Sequence, residues 1–303
     1  MSHFTVMILG DDYEAQLAPY HEFECTGRVD QYVQDVDITD EFIQEMDSAS
    51  ENADEGESPL DYALGYYGYE NRVVSDESEV DREDTHKYGF VVVKDGNVVK
   101  VVRRTNPNAK WDWYTVGGRW SGFLKLKSGA KGELGTPGVF GNRAEPGTAD
   151  QVRKGDVDWE GMRQEAADRA ADQWDRVRKA VPMLWESWDT IRTRYPDNID
   201  AARDAYHGQE GRKLLWQCKD DDGIRWSEDG VLVAREIFVK NARDGAIVPF
   251  AVLKDGNWME RGQMGWFGCV SNEGDRDEWN VRVSQMIDEL PDDTLITMVD
   301  CHI

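Results

Sequence analysis

The first 84 residues of this 303-residue chain have almost no basic side chains: Arg28, Arg72 and Arg82 stand against 24 Asp and Glu. Nucleic-acid and anionic-membrane binding need Lys and Arg to displace counterions, so this portion excludes itself from either. Cysteine is equally scarce. Four thiols (Cys25, Cys218, Cys269 and Cys301) spread over the whole length do not make a disulfide framework, and a reducing cytoplasm is expected. No apolar run approaches the roughly 18 residues that span a bilayer. The start lacks a basic region followed by an apolar one, so no secretory leader is expected.

What is there is charge of one sign, crowded into one place. The chain carries −25, of which residues 1–84 hold −21 and the other 219 residues only −4. Within Asp30–Asp84 nineteen acids face two bases. Twelve Trp and 40% hydrophobic residues nevertheless point to a folded core. Thr39 is placed to cap a short helix over Asp40–Met46, and Ser48–Ser58, poor in bulky apolar residues, reads as a mobile loop. Pro59–Tyr69 then brings four Tyr, an apolar area that should pack mainly on the protein's own body. The sharper reading is a partner-binding patch of Glu51, Asp54, Glu55, Glu57 and Asp61 with Tyr62, Tyr66, Tyr67 and Tyr69.

The rest alternates hairpins and helices. Phe4–Leu9 reads as a buried strand closed by a turn. Asp95-Gly96 and Asp255-Gly256 mark two tight hairpins, Tyr88–Val93 with Val98–Arg103 and Val248–Lys254 with Trp258–Arg261. FVVVKDGN (90–97) and FAVLKDGN (250–257) match at six of eight positions, which duplication or shared turn chemistry explains equally well. Trp111–Val116 and Trp120–Leu126 are expected to pair around a glycine bend. Trp159, Met162, Ala166, Ala170, Trp174, Val177 and Val181 recur at helical spacing, and two more helices are expected, one after Pro182 to before Pro196 and one from Asn198 towards Tyr206. Trp216–Cys218 and Ile224–Trp226 read as a hairpin. A helix capped by Ser227, a strand at Met264–Val270, a helix at Asp277–Leu290 and a strand at Leu295–Asp300 follow. The expected fold is α+β: mixed or antiparallel sheets from hairpins, a helical layer at 158–207, and both terminal strands in the core. Its parts are a β-rich 1–147 with an acidic flap at 30–84, and an α+β 148–303, unless the chain is one integrated domain.

Two constellations invite chemistry. Gly117-Gly118-Arg119-Trp120 offers glycine N–H groups and a guanidinium for an anion, but lacks the Gly-Lys-Ser/Thr ending of a phosphate loop and opens no helix, so a bend between strands is the better explanation. His21 and Cys25 with Cys301 and His302 supply two imidazoles and two thiols, a donor set zinc takes. Their spacing matches no strong zinc pattern, and 301 and 302 would point to opposite sheet faces, so no cofactor is expected. The Trp residues at 111, 113, 120, 258 and 266 read as core packing.

MSHFTVMILG…LAPYHEFECTG, DWYTVGGRWSGF and GWFG…LPDDTLITMVDCHI together resemble a family of bacteriophage-encoded proteins. The resemblance implies an accessory phage gene acting in an infected bacterial cytoplasm, and carries over no catalytic residue. The first expectation is a non-catalytic protein that binds a host protein with a basic or nucleic-acid-binding surface, its acidic face acting as a DNA-like decoy against a defence factor. An enzyme acting on a nucleotide or signalling molecule is the alternative, and a structural role in the virion the third.

Overall fold

The structure, a computed structural model, describes residues 2–22, 31–54, 56–81, 89–141, 144–217 and 232–303. Its fold is α+β, with mixed and antiparallel sheets. In β1 (His3–Leu9) every residue after His3 is buried, as an apolar strand covered on both faces should be. The short α1 (Tyr13–Leu17) follows, capped by Asp12.

The acidic segment folds as a layer of its own. It contains β2 (Gln34–Asp37), α2 (Thr39–Asn52), α3 (Pro59–Tyr67), β3 (Val73–Val74), β4 (Gly89–Lys94) and β5 (Asn97–Thr105), in the sheet order β2-β5-β4-β3. Ile38, Phe42, Ala63, Leu64, Tyr69, Val91 and Val101 fill the space between helices and sheet. The hydrophobic effect therefore holds this layer despite its charge. Asp95 and Gly96, both at positive φ, make the β4–β5 turn as expected.

Next come β6 (Trp113–Gly118), β7 (Leu124–Lys125), β8 (Thr136–Pro137), β9 (Thr148–Ala149) and β10 (Gln151–Arg153). The helical layer is α4 (Trp159–Ala180), α5 (Trp188–Arg194), α6 (Ile199–Gly208) and α7 (Glu210–Gln217), with α8 (Arg235–Gly245) beyond it. The chain then forms the hairpin β11 (Ala251–Lys254) and β12 (Asn257–Glu260), the small pair β13 (Gln263–Met264) and β14 (Val270–Ser271), α9 (Arg276–Asp288) and β15 (Leu295–His302). The central sheet runs β12-β11-β1-β15-β6-β8, with β10 also on β15. β1 is antiparallel to β15 and parallel to β11, so both terminal strands lie mid-sheet. Strands from 1–147 and from 148–303 thus share one sheet.

Several elements depart from the sequence reading. α2 continues to Asn52 through part of the expected loop, because Ala49 is buried and the Ser48 and Asn52 side chains donate to carbonyls within the helix. Thr39 is not its cap: the hydroxyl donates to Asp37 Oδ1 at 2.6 Å. β6 pairs with β15 and β8, and β7 pairs with β9, so 111–116 and 120–126 are not partners. α5 starts only at Trp188, where the Ser187 hydroxyl caps it. Trp216 and Gln217 end α7 instead of starting a strand; the rest of that hairpin and Ser227 lie outside the described residues. The 264–270 stretch is a hairpin, since Phe267 and Gly268 at positive φ turn the chain between β13 and β14.

Candidate functional site

Register, not sequence proximity, assembles the polar centre of this protein. His3 on β1 faces His302 on β15, and His302 faces Trp113 on β6, so three rings stand in one cross-strand row. Two residues along, Thr5 and Asp300 share the same sheet face, and after them Met7 and Met298. Met7 and Met298 belong to the apolar cluster that α9 covers with Trp279, Val283 and Ile287. The polar row occupies the end of that face where the cluster runs out. The opposite face carries Phe4, Val6, Ile8, Val299 and Cys301 into a second apolar cluster.

Each histidine is held by its own carboxylate. His3 Nδ1 lies 2.8 Å from Asp300 Oδ1, and the other Asp300 oxygen accepts the Arg119 backbone N–H at 2.9 Å. His302 Nδ1 lies 2.7 and 2.8 Å from the two Asp112 oxygens. A carboxylate only accepts, so the shared proton sits on Nδ1 in both pairs, and Nε2 is the ring nitrogen that points away from each carboxylate. The two rings meet edge to face with centroids 5.0 Å apart, and Trp113 stacks on His302 at 5.1 Å. His302 Nε2 is buried with no hydrogen-bond partner among the described residues, an arrangement costing about 1–3 kcal/mol. The His3 side chain is 11% exposed, and its Nε2 has no partner among the described residues.

The glycine pair fits tightly around these carboxylates. A Cβ on Gly118 would stand 2.3 Å from Asp300 Cβ, and one on Gly117 would stand 2.4 Å from Asp150 Oδ2. Asp150 is fully buried and ties the loop to the sheet. It accepts the Gly122 N–H (2.7 Å), the Gly135 N–H (2.9 Å), a longer one from Phe123 (3.4 Å) and the Ser121 hydroxyl (3.2 Å). The expected bend between strands is thus present and opens no helix, and the half-buried Arg119 at its tip has no ion-pair partner among the described residues. Trp120 is half-buried beside it.

Of the four candidate zinc donors, His21 and His302 both bind Asp112 rather than facing each other across a shared point. His21 Nε2 contacts the Asp112 carbonyl at 2.8 Å, and His302 is bound to the Asp112 carboxylate. Cys301 faces the other side of the sheet, and burial, followed by the Asp300 and Asp112 charges, pushes its thiol well above the ordinary value. Cys25 lies outside the described residues. No group of three or more His, Cys, Asp or Glu among the described residues is arranged to hold a metal. Of the Trp residues read as core, Trp111 is buried but Trp113 is 45% exposed.

On the acidic layer, Asp54, Glu57 and Asp61 are exposed, and Ser58 caps α3 while donating its hydroxyl to Asp61. Glu55 and the Glu51 side chain lie outside the described residues. Tyr62 donates to Glu45, Tyr67 lies between Phe42 and Tyr69, Tyr69 is buried, and Tyr66 is the exposed one at 64%. The tyrosines therefore serve mainly the layer's own packing.

Sequence reasoning placed His302, Gly117, Gly118 and Arg119 in two separate candidates and missed His3, Asp112, Asp150 and Asp300. One signal was available: His3-x-Thr5 and Asp300-x-His302 put polar residues at a single parity of otherwise apolar strands, where burial demands partners. No described helix is long and apolar enough to cross a membrane. No family model, curated protein or solved structure matches the chain.

Proposed function

We propose that this chain is an enzyme that cleaves a phosphate ester by acid–base catalysis, with His3 as its base. The observation that carries this is the pair of neighbouring imidazoles, each fixed through Nδ1 by a carboxylate and each with Nε2 pointing away from it. A carboxylate in that position orients the ring and stabilises the imidazolium that forms on proton transfer. His3 Nε2 takes a proton from water as the new O–P bond forms. His302, whose Nε2 is buried, meets no substrate and packs edge to face against the His3 ring. His3 Nε2 returns the proton it took to the leaving oxygen as the old P–O bond breaks. Arg119 supplies the positive charge for the phosphate oxygens, and no carboxylate among the described residues pairs with it. The test is turnover of p-nitrophenyl phosphate, bis(p-nitrophenyl) phosphate and cyclic nucleotides by the purified chain. His3→Gln should fold normally and lose about a hundredfold or more in kcat, the size of a general acid–base contribution. No turnover across the set, or an unchanged rate in the variant, overturns the assignment.

A second reading rests on a different observation. Residues 31–81 carry thirteen exposed carboxylates on a layer with its own core, against the half-buried Arg72 in that stretch and Lys94, Lys100, Arg103 and Arg104 on β4 and β5, of which Lys94, Lys100 and Arg103 pair with Asp76, Glu77 and Glu41. A rigid array of that kind suits a basic, nucleic-acid-binding partner, which on the phage resemblance is a host protein in an infected bacterial cytoplasm. Converting Glu51, Asp54, Glu55 and Glu57 to their amides should weaken capture of such a partner from infected cells and flatten its salt dependence. Equal capture by the variant sinks the decoy idea.

A further inference from the structure

A second polar site lies away from the histidine centre, in a groove of about 1030 Å³ between α4, α8 and the start of α9. Its floor is made of small residues, Ala166, Ala170, Ala242 and Gly245, which is why the helices leave room there. Arg169 and Arg176 on α4, Arg261 after β12 and Arg276 on α9 line it, in a chain with 60 acids and 35 bases. The carboxylates around them are already engaged or few. Asp172 pairs with Arg176 at 3.1 Å, Glu273 is shared by Arg261 (2.9 Å) and Arg276 (3.7 Å), and Asp277 lines the rim. Arg169 has no ion-pair partner among the described residues.

The decisive residue is Asn280. It is only 5% exposed, it lines the groove, and its side chain makes no hydrogen bond among the described residues. The other buried asparagine shows what is normal. Asn106 donates to the Pro19 and His21 carbonyls and accepts from the Asn108 N–H. Buried amides are satisfied as a rule, so one left open towards a cavity marks a place for a ligand with matching polar atoms.

We infer that this groove binds a nucleotide, its phosphates on Arg169 and Arg176 and its base against Phe238, hydrogen-bonded to the Asn280 amide. An amide offers a donor and an acceptor side by side, the pattern a base edge answers, and guanidinium forks suit phosphate oxygens. The inference is independent of the histidine centre, because it assigns no chemistry to the groove and uses none of the same residues.

Titration calorimetry with ATP, GTP, adenosine and inorganic pyrophosphate, on the full chain, tests it. A nucleoside triphosphate should bind more tightly than either adenosine or pyrophosphate alone. Arg169→Ala, on an exposed side chain that leaves the fold alone, should weaken binding about tenfold, the size of one lost charged hydrogen bond. Asn280→Asp should weaken it at least as much, and His3→Gln should leave it unchanged. Pyrophosphate binding as tightly as ATP would overturn the nucleotide assignment. No binding at millimolar ligand, or binding insensitive to both groove variants, would overturn the site.

Discussion

Asp150→Ala should cost this protein about 4 kcal/mol of stability, among the largest losses a single substitution produces. The carboxylate is fully buried without a cationic partner among the described residues, and three backbone N–H groups and one hydroxyl converge on it. Those donors come from the 117–123 bend and from Gly135, segments with little regular structure to hold them otherwise. Truncation removes the charged bonds and strands the donors in a dry site, and a lost acceptor costs more than the bond itself was worth. Asp150→Asn keeps one accepting oxygen and should lose about half as much, the remaining loss coming from the NH2 that it turns towards donors on the other side. Urea denaturation followed by tryptophan fluorescence measures both. A loss below about 1 kcal/mol for the alanine variant would mean that the loop keeps its shape without this anchor.

The hairpins and long helices were legible because their signals are local. Asp-Gly at 95–96 and 255–256 demands positive φ whatever surrounds it, and the apolar spacing along α4 needs only its own helix to be read. The histidine centre was not legible, because its members are 297 and 190 residues apart in the chain and meet through strand order. Knowing that β1 and β15 are neighbours was not enough. A shift of one residue in register would have paired His3 with Cys301 and moved every polar side chain to the other face. The glycine pair is an intermediate case: Gly117-Gly118 announced a bend, but the reason for two glycines lies in Asp150 and Asp300, far off in sequence. The acidic stretch misled in one respect, since low bulk and high charge suggested a loop where α2 continues on the strength of one buried face.

Gly118→Ala should disable the His3–Asp300 pair and destabilise the protein by about 3 kcal/mol. Gly118 has φ +56, a left-handed conformation that costs a non-glycine residue about 1 kcal/mol. Steric overlap costs more. A methyl there would meet Asp300 Cβ at 2.3 Å, Cγ at 2.7 Å and Oδ2 at 2.4 Å, and Asp300 sits on the central strand β15, buried on its sheet face. It cannot retreat without giving up the Arg119 N–H, His3 Nδ1 or both. Gly96→Ala is the control, because Gly96 has φ +79 with nothing within 4 Å of an added Cβ, so it reports the backbone cost alone. The excess loss in Gly118→Ala over Gly96→Ala, about 2 kcal/mol, is then the cost of displacing Asp300. Histidine NMR should show the same event as a shift of the His3 ring resonances in the first variant and none in the second. Once its orienting carboxylate has moved, any turnover by the native chain should fall nearly as far as in His3→Gln. Equal losses for the two glycine variants, with unmoved His3 resonances, would show that Asp300 yields freely and that the bend does not position the base.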